Sequence, residues 1–278
     1  MTRVIDSLLT IATEYDAIVF DQWGVLHNGQ TPYANAVSCL DSLQGAGVTL
    51  AVLSNSGKRA APNTARIASM GFNPRQFSIV MSSGEALWQD VDKSQVPAEH
   101  FFPIERSPGD AADWAEGLDI SLTDNVSEAD AVLLMGLPDG ARVSQWEETL
   151  DNALAHALPL YCTNPDKASP RGDGFVISPG VLAAAYEEKG GQVRFYGKPH
   201  RPIFDALNDV LAANRILMVG DSLEHDIAGA QTVGWHSLLV QGGLYAQEFA
   251  TGEPVSVLGA LVKEKGVDAP TYRMELLT

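Results

Sequence analysis

The chain has 278 residues, of which 35 are Asp or Glu and 18 are Lys or Arg, giving a net charge of −17. So acidic a surface repels nucleic-acid backbones and anionic membranes and excludes both as partners, so an anionic ligand needs a local positive site; Lys58, Arg59, Lys198 and Arg201 with a divalent cation can provide one. A hydrophobic content of 45% and an aromatic content of 8% suit a soluble globular protein with room for two cores.

Short apolar runs alternate with helical-period segments, which predicts an α/β fold with a parallel sheet. Residues 17–20, Ala-Ile-Val-Phe, read as the first strand. A helix follows over 32–44, with Thr31 as its cap and Gly45-Ala46-Gly47 as its stop. Residues 48–53 read as the second strand, ending at Ser54-Asn55-Ser56-Gly57, and a helix rich in Ala and Arg runs to Met70. From about Ser83 to Tyr186 the pattern restarts, with strands at 101–104, 129–135 and 158–162 and helices at 111–116 and 143–157. Strands at 193–196, 216–219 and 236–240 and helices at 202–213 and 227–233 complete the chain. The expected organisation is a domain inserted into a domain: 1–82 with 187–278, and 83–186 between them.

Apolar runs fall short of the roughly 18 residues a membrane helix needs. The first seven residues lack the apolar core and small-residue cleavage site of a secretory signal. Two cysteines, Cys39 and Cys162, read as buried reduced thiols. The expected location is therefore the cytoplasm.

Four strand tips carry chemistry. Asp21 closes the first strand and precedes Gln22-Trp23-Gly24-Val25-Leu26. Ser54-Asn55-Ser56 closes the second, Gly197-Lys198-Pro199 follows the strand at 193–196, and Gly220-Asp221 closes the strand at 216–219, with Asp226 in the next turn. If these strands are parallel neighbours their tips converge, because open parallel sheets gather ligands at the carboxyl edge. The group then contains a nucleophilic carboxylate, a hydroxyl with backbone donors, an ammonium and two acids for a hard cation. Phosphoryl transfer needs these parts: an Asp can form an acyl phosphate, Mg²⁺ takes carboxylates and waters, and Lys offsets charge on phosphoryl oxygens. Each tip alone also reads as an ordinary turn, helix cap or surface lysine; their order along the chain favours the joint reading.

In that order the chain resembles the haloacid-dehalogenase superfamily of aspartate-nucleophile, Mg²⁺-dependent hydrolases, class IIA branch (NagD-like and p-nitrophenyl-phosphatase-like). The family's four motifs match at Asp21-Gln22-Trp23-Gly24-Val25-Leu26, at Ser54-Asn55-Ser56, at Lys198, and at Gly220-Asp221-Ser222 with Asp226. Thr163-Asn164-Pro165-Asp166 resembles the family's cap loop. The resemblance implies a Rossmann-like core with an inserted α/β cap of class C2. It implies that Asp21 is the nucleophile, and that its carboxylate, the Trp23 carbonyl and Asp221 hold Mg²⁺ with Asp226 beside it. Ser54, Asn55 and Lys198, with Ser56 in the same loop, would bind the phosphoryl group, and Asn164 and Asp166 would select the leaving group. It further implies a phosphatase acting on a small phosphorylated metabolite, with sugar phosphates among the candidates, and a homodimer through the cap.

One position departs from the pattern. Family phosphatases carry a second Asp two residues after the nucleophile as general acid and base; here it is Trp23. Loss of such a group typically costs ~10²–10⁴-fold. His27 is the first candidate to replace it, with His225 and Glu224 behind it, and Trp23 itself could stack on a ring or pack on the cap. The alternatives are a leaving group that needs no proton, or a binding module that keeps the phosphate site without turnover. Hydrolysis of a carbon–halogen bond needs no metal, so the acid pair counts against it; carbon–phosphorus cleavage would need an imine-forming lysine, for which Lys93 and Lys167 are available.

Overall fold

The structure, a computed structural model, describes residues 2–171 and 174–278. The chain folds into two units, one comprising Met1–Ser54, Ala61–Met81 and Lys198–Thr278, the other Asn55–Ala60 and Ser82–Gly197.

The first unit is built on a seven-stranded sheet in the order Arg3–Val4, Tyr272–Met274, His236–Val240, Ile216–Gly220, Ala17–Phe20, Thr49–Ser54, Phe77–Ser82. Ala17–Phe20 and Ile216–Gly220 are buried at every residue, as strands covered on both faces must be. They pair parallel with Phe20 opposite Val219, and Thr49–Ser54 pairs on the other side with Val52 opposite Phe20. All three strands therefore end at one sheet edge. The next residue is Asp21 in the first and Asp221 in the second, and the third ends on Ser54. Leu40 and Leu43 of the helix Ala36–Gly45 pack with Ile18, Phe20, Leu50 and Val219 into one apolar core, which anchors that edge.

The second unit has its own parallel sheet, ordered Val193–Phe195, Leu160–Cys162, Ala131–Leu134, His100–Ile104, Ser121–Leu122, and its own core around Val132, Leu134, Leu160, Leu182 and Tyr186. An antiparallel pair, Ala168–Arg171 with Gly174–Ile177, accompanies it.

Several expectations are corrected. The sequence pattern places the strand at 193–196 in the first unit, but Val193–Phe195 pairs with Leu160–Cys162, so the boundary falls after Gly197 rather than after residue 186. The helix Pro179–Glu188 buries Leu182, Ala183 and Tyr186 against the second core, and the strand after it closes the same crossover. Ser82 caps the helix Ser83–Asp92, its hydroxyl accepting the Glu85 N–H at 3.1 Å. The helix expected over 32–44 begins only at Ala36, because the preceding residues fold back; the Tyr33 N–H donates to Leu26 O at 2.9 Å, and Asn28 Oδ1 takes the Thr31 N–H at 2.9 Å. Both cysteines are buried and free, and burial pushes each thiol up to about 12. Among the described residues no helix is long and apolar enough to cross a membrane.

Candidate active site

Asp21 extends its strand by one more ladder bond, its N–H donating to Val219 O at 2.9 Å, and so projects its side chain at the sheet edge. There its Oδ1 accepts from Lys198 Nζ at 2.6 Å, and the same ammonium donates to Asp226 Oδ1 at 2.6 Å. Lys198 and Asp226 are 2% and 1% exposed.

Asp226 lies in Leu223–Ile227, a π-helical turn of the widened kind that recurs at functional sites, and its own N–H donates to Ser222 O at 3.0 Å. The Ile227 N–H donates back to Ser222 O at 3.1 Å, and the turned carboxylate accepts the Asp221 and Ser222 N–H groups on Oδ2, each at 3.1 Å. Asp221 is fixed from another side, its Oδ2 accepting the Leu244 N–H at 2.8 Å. Asp21, Asp221 and Asp226 each present an oxygen within 4.8 Å of the others. Two glycines allow this approach. A Cβ on Gly24, whose φ is +84°, would lie 1.7 Å from Asp221 Oδ2, and one on Gly243 would lie 2.4 Å from the same oxygen.

The electrostatics follow from crowding. Burial pushes the Asp21 carboxyl up to about 7; Lys198 opposes the shift and Asp226 adds to it. Burial and then the charges of Asp21 and Asp226 raise Asp221 well above the usual carboxylate range. Burial alone would lower the Lys198 ammonium, but the two carboxylates override it and hold it above the ordinary lysine value. Three carboxylates and one ammonium leave two negative charges in excess, and all the free donors are hard oxygens. A divalent cation such as Mg²⁺ matches both.

A thermal consequence can be measured. A carboxyl whose folded pKa is raised stabilises the fold through its bound proton at low pH. That contribution is lost as pH rises from about 4 to about 7 for Asp21. A cation competes for the same oxygens, so the Mg²⁺-induced rise in Tm is expected to be larger at about pH 8 than at about pH 5. Equal or larger stabilisation in acid would contradict the assigned cation site.

The loop after Asp21 closes on itself. Gln22 O accepts the Leu26 and His27 N–H groups at 2.9 and 3.1 Å, and the Gly24 N–H donates to His27 O at 3.0 Å. His27, expected as the substitute acid, is corrected to a buried loop pin. It is 1% exposed, its Nδ1 accepts the Gly29 N–H at 3.1 Å, and burial, then Arg66, lowers it to about 4. With Nδ1 accepting, the neutral imidazole carries its proton on Nε2, which is buried. Trp23 is half-buried, and its indole Nε1 would lie 3.2 Å from a Cβ on Gly29. Glu224 is exposed and pairs with Lys265 at 3.2 Å, which removes it as an acid for the site; His225 donates its N–H to Ser222 Oγ in the π turn.

Ser54 ends its strand at the same edge of the first unit. Asn55 and Ser56 belong to the second unit, with Asn164 and Asp166. There Asn55 Nδ2 donates to Asp166 Oδ1 at 2.8 Å, and the Asp166 N–H donates to Asn164 Oδ1 at 3.0 Å. The Gly180 N–H donates to Asp166 O at 3.0 Å and fixes the loop. Sequence reasoning missed the Leu244 N–H and Gly243; the one available signal was the Gly242-Gly243 pair just beyond the strand His236–Val240.

Comparison with known proteins gives concordant matches. A family model described as haloacid dehalogenase-like hydrolase matches residues 18–102, and one described as HAD-hydrolase-like matches 195–261. Chronophin of Homo sapiens is 28% identical over 246 residues, covering 84% of this chain and 83% of that protein. The D-glycerol 3-phosphate phosphatase of Mycobacterium tuberculosis is 28% identical over 264 residues, covering 88% of this chain and 69% of that protein. A crystal structure of a haloacid dehalogenase-like family hydrolase from Brucella suis 1330 superposes with a TM-score of 0.82 at 28% identity, covering 99% of this chain and 100% of that one.

Proposed function

We propose a function from one premise: this chain belongs to the haloacid-dehalogenase-like hydrolases, class IIA branch, with an α/β core and an inserted cap, and it is a phosphatase. In our reading it hydrolyses a small phosphomonoester in the presence of Mg²⁺, through an aspartyl phosphate on Asp21. The observation that carries this is the meeting of Asp21, Asp221 and Asp226 within 4.8 Å, with Lys198 donating to Asp21 at 2.6 Å.

The residues divide the work. The Asp21 carboxylate, the Trp23 carbonyl and Asp221 would hold Mg²⁺, with Asp226 beside it. Bound there, the cation supplies positive charge to a phosphate in an otherwise acidic molecule. Lys198 occupies Asp21 Oδ1 and fixes the carboxylate's orientation, leaving Oδ2 to attack phosphorus. As the bond from Oδ2 to phosphorus forms, the bond to the leaving oxygen breaks; water then attacks phosphorus and restores the carboxylate. Lys198 and Ser54 would offset charge on the phosphoryl oxygens.

The test is release of inorganic phosphate from a panel of small phosphate esters with Mg²⁺ present. Chelation by EDTA is expected to stop turnover; undiminished rates in EDTA would end the Mg²⁺ reading. Binding of phosphate esters without any release would end the hydrolytic one.

A further inference from the structure

The six residues that follow Ser54, Asn55–Ala60, leave the first unit and are built into the second as a strap. They are held one after another. Asn55 Nδ2 donates to Asp166 Oδ1 at 2.8 Å, Ser56 O accepts the Gly84 N–H at 2.9 Å, and Lys58 O accepts the Ser82 hydroxyl at 2.5 Å. Gly57 lies against the carboxyl edge of that unit's sheet, where a Cβ on it would come within 2.3 Å of Met135 O. Open parallel sheets take ligands at this edge, and here the chain's own strap lies on it. Glu85 anchors the far end. It completes a Ser-x-x-Glu pattern at the start of the helix Ser83–Asp92, and a capping-box glutamate reaches back to the N–H of its cap residue. This one turns to the strap. Its Oε2 accepts Arg59 Nε at 2.7 Å and the Ala60 N–H at 2.9 Å, and its Oε1 accepts Arg59 Nη2 at 3.3 Å. Arg59 in turn lies 3.7 Å over the Trp88 ring. The Arg59 and Glu85 side chains are 23% and 14% exposed, so this two-point pair is shielded from water in a way that surface ion pairs are not. Burial alone would raise the Glu85 carboxyl, but Arg59 and the Ala60 N–H hold it below the usual carboxylate range.

From this we infer that Glu85 is a positioning residue for the phosphatase reaction: by holding Arg59 and Ala60 it fixes the course of the chain as it leaves Ser54. The inference rests on the phosphatase reading above. Ser54 closes its strand at the sheet edge that carries Asp21, and one peptide bond joins it to the strap. A donor that steadies phosphoryl oxygens does so most in the transition state, and misplacing such a group by about 1 Å can cost ~10²-fold. Freeing the strap at Glu85 therefore lowers kcat more than it raises KM.

The experiment compares the parent, Glu85→Ala and Glu85→Gln on 4-nitrophenyl phosphate with Mg²⁺, well below the Tm of each, and follows amide hydrogen exchange of residues 55–60 on the same samples. Glu85→Ala is expected to lower kcat by about 10-fold or more with little change in KM, and to speed exchange at 55–60. Glu85→Gln keeps an oxygen for the Ala60 N–H and is expected to fall between the two in both readouts. A merely structural role predicts a lower Tm with kcat unchanged, and that result overturns the inference. So does a kcat loss without faster exchange at 55–60, or a loss confined to KM; each leaves the phosphatase reading standing. If Glu85→Ala does not fold, Glu85→Gln decides by the same criteria. Release by the parent no faster than by Asp21→Asn overturns the phosphatase reading, and this role with it.

Discussion

Asp21→Asn is expected to cut phosphate release by about 10⁴-fold or more while leaving the fold at least as stable as before. The activity loss follows from chemistry: an amide is a poor nucleophile, and removing a covalent catalyst costs about 10⁴–10⁶-fold. The stability gain follows from the site. The carboxyl at 21 is pushed up to about 7, so its charged form is disfavoured where it sits. Asparagine has the same shape and keeps a carbonyl oxygen for the Lys198 ammonium, but removes one of three crowded negative charges. Above about pH 7 and without cation, the variant's Tm should equal or exceed that of the parent. Phosphate assays and thermal unfolding on the same samples check both halves, and a clear drop in Tm would contradict the assigned electrostatics. Sites of this kind commonly trade stability for function.

Lys198→Met should lose both activity and stability. Methionine fills similar volume, but Asp21 and Asp226 then face each other without the ammonium that each contacts at 2.6 Å. Breaking a buried ion pair from one side costs about 3–5 kcal/mol, because the remaining charge has no partner. Urea unfolding without metal should show that loss near neutral pH. Part of it should return in mild acid, where the carboxyls bind protons, and part on adding Mg²⁺, which replaces the missing charge. Catalysis should fall by about 10²–10³-fold even with cation, since a phosphoryl-oxygen donor is gone. A variant as stable as the parent at neutral pH would mean that the ammonium is dispensable to the fold.

The strand tips were legible for a simple reason. Ala17–Phe20 and Ile216–Gly220 are continuous apolar runs, as doubly covered strands must be, and each hands over to an acid at a defined edge. Parallel register did the rest, setting Phe20 beside Val219 and so Asp21 near Asp221. The edges of the sheet were not legible. Arg3–Val4 and Tyr272–Met274 are two and three residues long, too short for any period, and exist because they pair with each other and with His236–Val240. Val193–Phe195 is legible as a strand but its sheet is not, because the helix before it decides its sheet and pattern does not. The burial of His27 has no sequence signal, because a loop residue reads as exposed and only the inward fold of its backbone buries it. Leu244 contributes through its main chain, for which a side-chain reading has no signal.

The wide turn at Leu223–Ile227 carries a consequence for anyone seeking to harden this protein. Deleting one residue there would give an ordinary helix of better geometry and rotate everything beyond it by about 100° about the axis. Asp226 would then swing off Lys198 and release the two amides it holds. The number of residues between Ser222 and Asp226 fixes the direction in which this carboxylate leaves the turn, so shortening the loop for regularity would cost the centre one of its acids.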